Sequence, residues 1–370
     1  MPPYVVHTDV LNQVQMEMRK SDDLAASLRG VFEEIASCDA YAEWAELQQF
    51  AGVAFSCPPD LEYARTNKTK WLLNRLALAD YDEILVRINR TGEHLFLTDG
   101  LWVPGTYRVF PFDDESDRIG ETCTRLGWDD WATCVIDPAM GCGHNLLRAR
   151  GDARRYGFDI NARALSYAAI NAAINEVPVG LLGVNDVADG LPPLFNQNRD
   201  DNVLVLCNMP FALTPELGTL PRSAEGGRFG YELTLRALDA VAQLATALGP
   251  GSELRCLMLA YSVGNLAADS WAVPDYARTI FDAEQVTWHL LEDELLWRVN
   301  GTKDQPNPMP LKDLELKADC RFYVQPPLKP DDVREGYRAL TRELEHEGYD
   351  HLAYGVVEIR GRGREETPGT

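Results

Sequence analysis

Two glycines and a series of acidic residues stand where a chain of alternating strands and helices would end its strands. The segment Asp137-Pro138-Ala139-Met140-Gly141-Cys142-Gly143-His144-Asn145 follows an apolar run, and glycine at 141 and 143 lets the backbone turn tightly and approach a ligand. Asp159 closes the next run, RRYGFDI, about 20 residues on, where a carboxylate can accept hydrogen bonds from both hydroxyls of a ribose. Asn185-Asp186-Val187 closes a third run and is placed for the edge of an adenine. The chemistry this suits is the binding of a nucleoside-bearing small molecule. His144 and Asn145 follow the second glycine and the third glycine of GxGxxG is missing, which disfavours a nicotinamide cofactor. Taken singly, each feature has a plainer explanation: an ordinary turn for the glycines and a helix cap for Asp186. The ordered series is what argues for a site.

A fourth run, LVLCNMPFALTP from Leu204 to Pro215, reads as a buried strand that stops on Asn208-Met209-Pro210-Phe211. A strand of that character ending on an amide, a proline and an exposed aromatic invites a functional question. In isolation the plain answer is a strand stop, with Pro210 ending the ladder and Phe211 filling core.

The elements that must position these residues follow from pattern. Leu24, Leu28, Val31, Phe32 and Ile35 recur at helical spacing, so residues 1–80 are expected to form a helical, cap-like domain. Residues 81–120 hold a β-hairpin, EILVRINRTGEHLFLTDG, turning at Arg90-Thr91-Gly92-Glu93, and an acidic loop. From Cys134 strand and helix alternate through CVIDPAM, RRYGFDI, GLLGVND, NVLVLCN, ELRCLMLAYS, QVTWHLLED and DCRFYVQ. That alternation predicts an α/β, doubly wound, mostly parallel seven-stranded sheet over residues 121–329. Residues 330–370 add a helix, DDVREGYRALTRELEHEG, a last strand, LAYGVVEIRG, and a polar tail.

Composition bounds the partners. The 370 residues are 45% hydrophobic and 25% charged, which suits a soluble chain with a full core. Formal net charge is -22, from 35 basic and 57 acidic residues, so nucleic acid meets repulsion and a cationic substrate meets attraction. The eight cysteines include no CxxC pair and no matching His spacing, which predicts reduced thiols, no metal site and a cytoplasmic setting. No apolar run approaches membrane-spanning length, so no membrane is expected, and the oligomeric state is open, with a homodimer as one option.

The series of strand ends resembles the class I S-adenosylmethionine-dependent methyltransferases over roughly residues 85–325, and DINARALSYAAINAAINEV is similar to their segment after the second strand. The resemblance implies a Rossmann-like methyltransferase sheet with S-adenosyl-L-methionine as cofactor and S-adenosyl-L-homocysteine as product. It implies that Asp137, Pro138, Ala139, Gly141, Gly143 and Asn145 pass beneath the amino-acid part of the cofactor. Asp159 and Ile160 would then lie at its ribose, and Asp186 and Val187 at its adenine. NMPF resembles the [N/D]PP[Y/F] motif of enzymes that methylate nitrogen on a planar group, with Met209 in place of the first proline. In that motif the Asn208 oxygen and the Met209 carbonyl accept both N–H groups of the substrate, aiming its lone pair at the methyl group, and Phe211 stacks on the planar group or a cation. Asn208 thus borders cofactor and substrate alike.

Within the superfamily the chain is most similar to the HemK-like, release-factor glutamine methyltransferase type, which also has an N-terminal helical domain, a hairpin and a GG-x-x-G segment, here Gly226-Gly227-Arg228-Phe229-Gly230. Its loop before the domain departs from that family: Val109-Phe110-Pro111-Phe112-Asp113-Asp114-Glu115-Ser116 lacks the arginine and is more acidic. Asp113, Asp114 and Glu115 could fork onto a guanidinium, or else complement a helix N-terminus. The expectation is N-methylation of a small cationic metabolite, such as the guanidino group of arginine or another amine. Protein glutamine methylation is the alternative, followed by nucleic-acid base methylation and a non-catalytic scaffold.

Overall fold

The computed structural model describes residues 79–80, 83–84, 86–99, 109, 114–149, 151–192, 201–211, 213, 215, 226–227, 229–291, 307–319 and 330–362, together with Ala26 and Arg29. Most of the helical domain expected over residues 1–80 lies outside these, as do Asp113, Arg228 and residues 320–325 of the expected strand DCRFYVQ. Asp319, expected to begin that strand, instead ends a 3-10 segment, Leu311–Asp319.

The long strands are β1 (Val86–Thr91), β2 (His94–Asp99), β3 (Cys134–Asp137), β4 (Arg154–Asp159), β5 (Leu181–Val184), β6 (Asn202–Asn208), β7 (Glu253–Asn265), β8 (Val286–Leu290) and β9 (His351–Arg362). The helices are α1 (Asp114–Arg125), α2 (Trp128–Trp131), α3 (His144–Arg148), α4 (Ala162–Ile174), α5 (Glu232–Ala247), α6 (Ala272–Ile280) and α7 (Pro330–His346). Seven strands of one mixed, mostly parallel sheet run in the order β5-β4-β3-β6-β7-β9-β8. This is the doubly wound, Rossmann-like α/β arrangement expected from the alternation of elements, in the order of a methyltransferase-type sheet. No helix among the described residues is long and apolar enough to cross a membrane.

Residues pack into two compact units, Met1–Phe112 with Met140–Arg148 and Arg154–Val184, and Asp113–Ala139 with Ala149–Ala153 and Asn185–Thr370. In the first, β1 and β2 form an antiparallel hairpin with Thr91 opposite His94, so the turn is the two residues Gly92-Glu93. Gly92 takes φ +59 there, the left-handed conformation such a turn asks of its first residue. Leu95, Phe96 and Leu97 are fully buried. β4 and β5 pair in parallel, with Asp159 opposite Val184. Asn161 caps α4 by accepting the Arg163 N–H, and Ala164, Ala168, Ala169 and Ala172 make a buried small-residue surface.

In the second unit β6 pairs in parallel with β3 on one side and β7 on the other. An inner parallel strand is covered on both faces, which is why Val203 to Cys207 is an unbroken buried apolar run. β9 is antiparallel to β7 from His351 opposite Gly264 to Arg362 opposite Glu253, and β8 pairs with its other edge. The strand contributed by residues 330–370 is therefore an interior strand of the sheet. α5 turns Leu238, Val241 and Leu244 into the core.

Candidate active site

In the first unit the glycine turn is tied to the end of β4. Asp159 accepts the Gly141 N–H on Oδ2 at 2.9 Å and the Asn161 N–H on Oδ1 at 2.8 Å. Burial pushes its carboxyl up to about 6, while those two N–H groups pull the other way. Each carboxylate oxygen still has capacity for a hydroxyl. Gly141 and Gly143 both have positive φ, +52 and +84, and they need it differently. A Cβ on Gly141 would meet none of the described residues within 4 Å, whereas one on Gly143 would lie 3.2 Å from the Ala168 Cβ of α4.

Beyond the turn, Asn145 is buried and its Oδ1 has no hydrogen-bond partner among the described residues. His144 packs its ring 5.0 Å from that of Phe96, with Arg148 beside it, which makes it a structural residue of the hairpin contact. Ile160 and Val184 are large apolar side chains left 47% and 53% exposed at adjoining strand ends. The glycine turn with the unmet amide oxygen suits an amino acid, the carboxylate with free lone pairs a ribose, and the two uncovered aliphatic groups an adenine. Val184 was not singled out from sequence, since its pairing opposite Asp159 is set by strand register.

In the second unit, Asp137 ends β3 buried and accepts the Ala139 N–H across Pro138 at 3.2 Å. Asn208 ends β6. Its Nδ2 donates to the Ser116 Oγ of α1 at 3.2 Å, while its Oδ1 is buried with no partner among the described residues. Leaving a buried acceptor unmet costs about 1–3 kcal/mol, so such a group calls for a reason. Ser116, which carries no motif signal in the sequence, anchors the other end of the amide.

Met209 is buried, Pro210 half-buried and Phe211 only 9% exposed, which corrects the expectation of an exposed aromatic. The Phe211 ring lies 5.1 Å from that of Tyr261, edge-on, and 5.4 Å from that of Tyr354. Packing at the end of an interior strand has covered it. The GG-x-x-G segment lies against the same stretch: a Cβ on Gly226 would sit 2.7 Å from the Phe211 Cα, and one on Gly230 2.9 Å from the Phe211 carbonyl oxygen.

Asp186 caps the 3-10 turn Val187–Asp189 by accepting the Ala188 N–H at 2.9 Å, and Val187 is buried. Asp186 therefore fills the plain capping role weighed for it in the sequence. Asp114 and Glu115 open helix α1, the position in which acidic residues complement the helix dipole. Burial raises the Cys207 thiol well above its usual range, which marks it as an inert strand residue. No group of metal-ligating residues occurs among the described residues.

No family model matches the chain, and no curated protein does. Solved structures that it resembles include YJHP from E. coli, at 17% identity over 68% of this chain and 94% of that one, with a TM-score of 0.36. The 16S rRNA N2 G1207 methyltransferase of T. thermophilus, in complex with AdoMet and guanosine, is 16% identical over 57% of this chain and 49% of its own, TM-score 0.36. An O-methyltransferase from a trans-AT PKS multienzyme of Brevibacillus brevis, in complex with S-adenosyl-L-homocysteine, is 10% identical over 70% and 81%, TM-score 0.32. Likenesses this slight assign nothing to any residue; the strand order itself defines the fold.

Proposed function

We propose that this chain is an S-adenosylmethionine-dependent N-methyltransferase that acts on a nitrogen of a small cationic metabolite, such as the guanidino group of arginine. The observation that carries the reading is the buried Oδ1 of Asn208 at the end of β6, without a partner among the described residues, with the other end of the amide held by Ser116. A buried acceptor without a partner of its own is suited to a substrate N–H.

When bound, S-adenosylmethionine supplies an electrophilic methyl group and leaves as S-adenosylhomocysteine. The residues that would hold it are the Gly141–Gly143 turn, Asn145 through its orphaned oxygen, Asp159 at the ribose hydroxyls, and Ile160 and Val184 against the adenine. Asn208 Oδ1 and the Met209 carbonyl would accept the two N–H groups of the acceptor nitrogen. Holding both hydrogens in one plane leaves the lone pair perpendicular to it, and most of the catalytic effect then comes from orientation. The net charge of -22 favours a cationic acceptor, and Asp114 and Glu115 are the first candidates to meet it.

Titration calorimetry with S-adenosylhomocysteine is the first test, and a silent wild-type protein would remove every methyltransferase reading. A labelled-methyl screen of arginine-like and amine metabolites beside a release-factor protein follows. Labelling of the protein alone would replace the small-molecule substrate with a glutamine amide. Asn208→Ala should lower turnover by about 100-fold or more and leave S-adenosylhomocysteine affinity unchanged; unchanged turnover would favour a scaffold.

A further inference from the structure

Helix α4 and its C-cap present one side chain in four to the hairpin strand β2. Tyr167 and Arg163 bind Asp99, Asn171 binds Leu97, and Asn175 binds Leu95. The spacing works because four helical residues rise about 6 Å and two strand residues about 6.7 Å, so the two ladders stay in step for three rungs. At the two amide rungs the side chain behaves as a neighbouring strand would. Asn171 accepts the Leu97 N–H at 2.8 Å and donates to the Leu97 carbonyl at 3.0 Å; Asn175 accepts the Leu95 N–H at 2.9 Å and donates to the Leu95 carbonyl at 2.6 Å.

The amides differ in where the second N–H goes. Asn175 returns it to its own helix, at the Asn171 carbonyl, 2.8 Å away. Asn171 sends it to the carbonyl of Cys142, 2.8 Å away, between the two positive-φ glycines of the turn. Asn171 is wholly buried, so neither bond can be exchanged for water without opening the core. One rigid, planar group thus holds the hairpin and the glycine turn together.

We propose that Asn171 is the positioning residue of the cofactor turn, and that through it occupancy of the turn and docking of the hairpin strand are thermodynamically linked. The inference rests on the reading of the Gly141–Gly143 turn as a cofactor cradle. Linkage runs both ways: whatever ligand orders the turn must also tighten β2 at Leu97, and loosening β2 at Leu97 must weaken the ligand.

The test uses the full chain and S-adenosylhomocysteine. Asn171→Asp keeps an acceptor for the Leu97 N–H and loses both donors. Asn175→Asp makes the matched change one turn along, with no contact to the glycine turn. Calorimetry should show about a tenfold weaker Kd for Asn171→Asp and an unchanged one for Asn175→Asp, the size expected of a coupled site. Melting temperatures of both variants separate this from general destabilisation. Should Asn171→Asp not fold, hydrogen exchange on the wild type decides: saturating ligand should slow the Leu97 amide and leave the Leu95 amide as it was. Equal weakening in both variants, or no added protection at Leu97, overturns the linkage. A wild type that does not bind S-adenosylhomocysteine sinks the cofactor reading itself, an outcome distinct from binding without linkage.

Discussion

Asn208 and Ser116 make a pair in which the hydroxyl of one anchors the side-chain amide of the other. If the hydroxyl is removed, the amide loses that anchor and can turn away from the acceptor nitrogen proposed for it. Ser116→Ala should therefore lower kcat by about 10- to 100-fold through misorientation, with KM little changed. Ser116→Thr, which restores a hydroxyl, should recover most of the rate in the same steady-state assay. Asp159 makes a pH prediction. Its carboxyl is raised from 3.8 to about 6 by burial, so in the free protein it is largely protonated at pH 5 and ionised at pH 7. Ribose hydroxyls donate to the ionised form, so S-adenosylhomocysteine should bind more tightly as pH rises through about 6. Asp159→Asn should flatten that profile in calorimetry. The effect on folding has the opposite sign, because a carboxyl raised above its unfolded value stabilises the protein at low pH. That contribution is lost as pH rises from about 4 to 6.

At the scale of elements, the helix-to-hairpin ladder and the glycine segment before α5 carry distinct liabilities. Asp99 is fully buried and holds Arg163, also buried, through both its oxygens, with the Tyr167 hydroxyl and the Val109 N–H on the same carboxylate. Asp99→Ala would strand a buried guanidinium, so urea unfolding should show a loss of about 3–5 kcal/mol. Gly226 has no room for a methyl group: its Cβ would lie 2.2 Å from the Gly230 carbonyl oxygen and 2.7 Å from the Phe211 Cα, both backbone. Gly226→Ala should cost about 1–3 kcal/mol in urea unfolding. It should also impair turnover, because what must give way is the stretch that follows Asn208.

For the whole molecule, 57 acidic against 35 basic residues set up a field that a cation feels and a neutral amide does not. With a guanidino or amine acceptor, kcat/KM should fall as salt is raised from about 0.01 to 0.5 M, over which range the screening length shrinks several-fold. A salt-independent kcat/KM would speak for an uncharged acceptor such as glutamine. Sequence alone determined what rests on local pattern: the strand and helix alternation, the glycine turn at 141 and 143, Asp159 at a strand end, and the buried run that stops on Asn208. Tertiary structure decided what depends on partners far along the chain. Ser116 meets Asn208 across 92 positions and Asn171 meets Leu97 across 74. Val184 comes opposite Asp159 only through the parallel register of β4 and β5. Periodicity reports which face of an element is apolar; it does not report which other element covers that face. For that reason the motif was legible, while the hydroxyl that anchors its amide and the amide that ties the glycine turn to the hairpin were not.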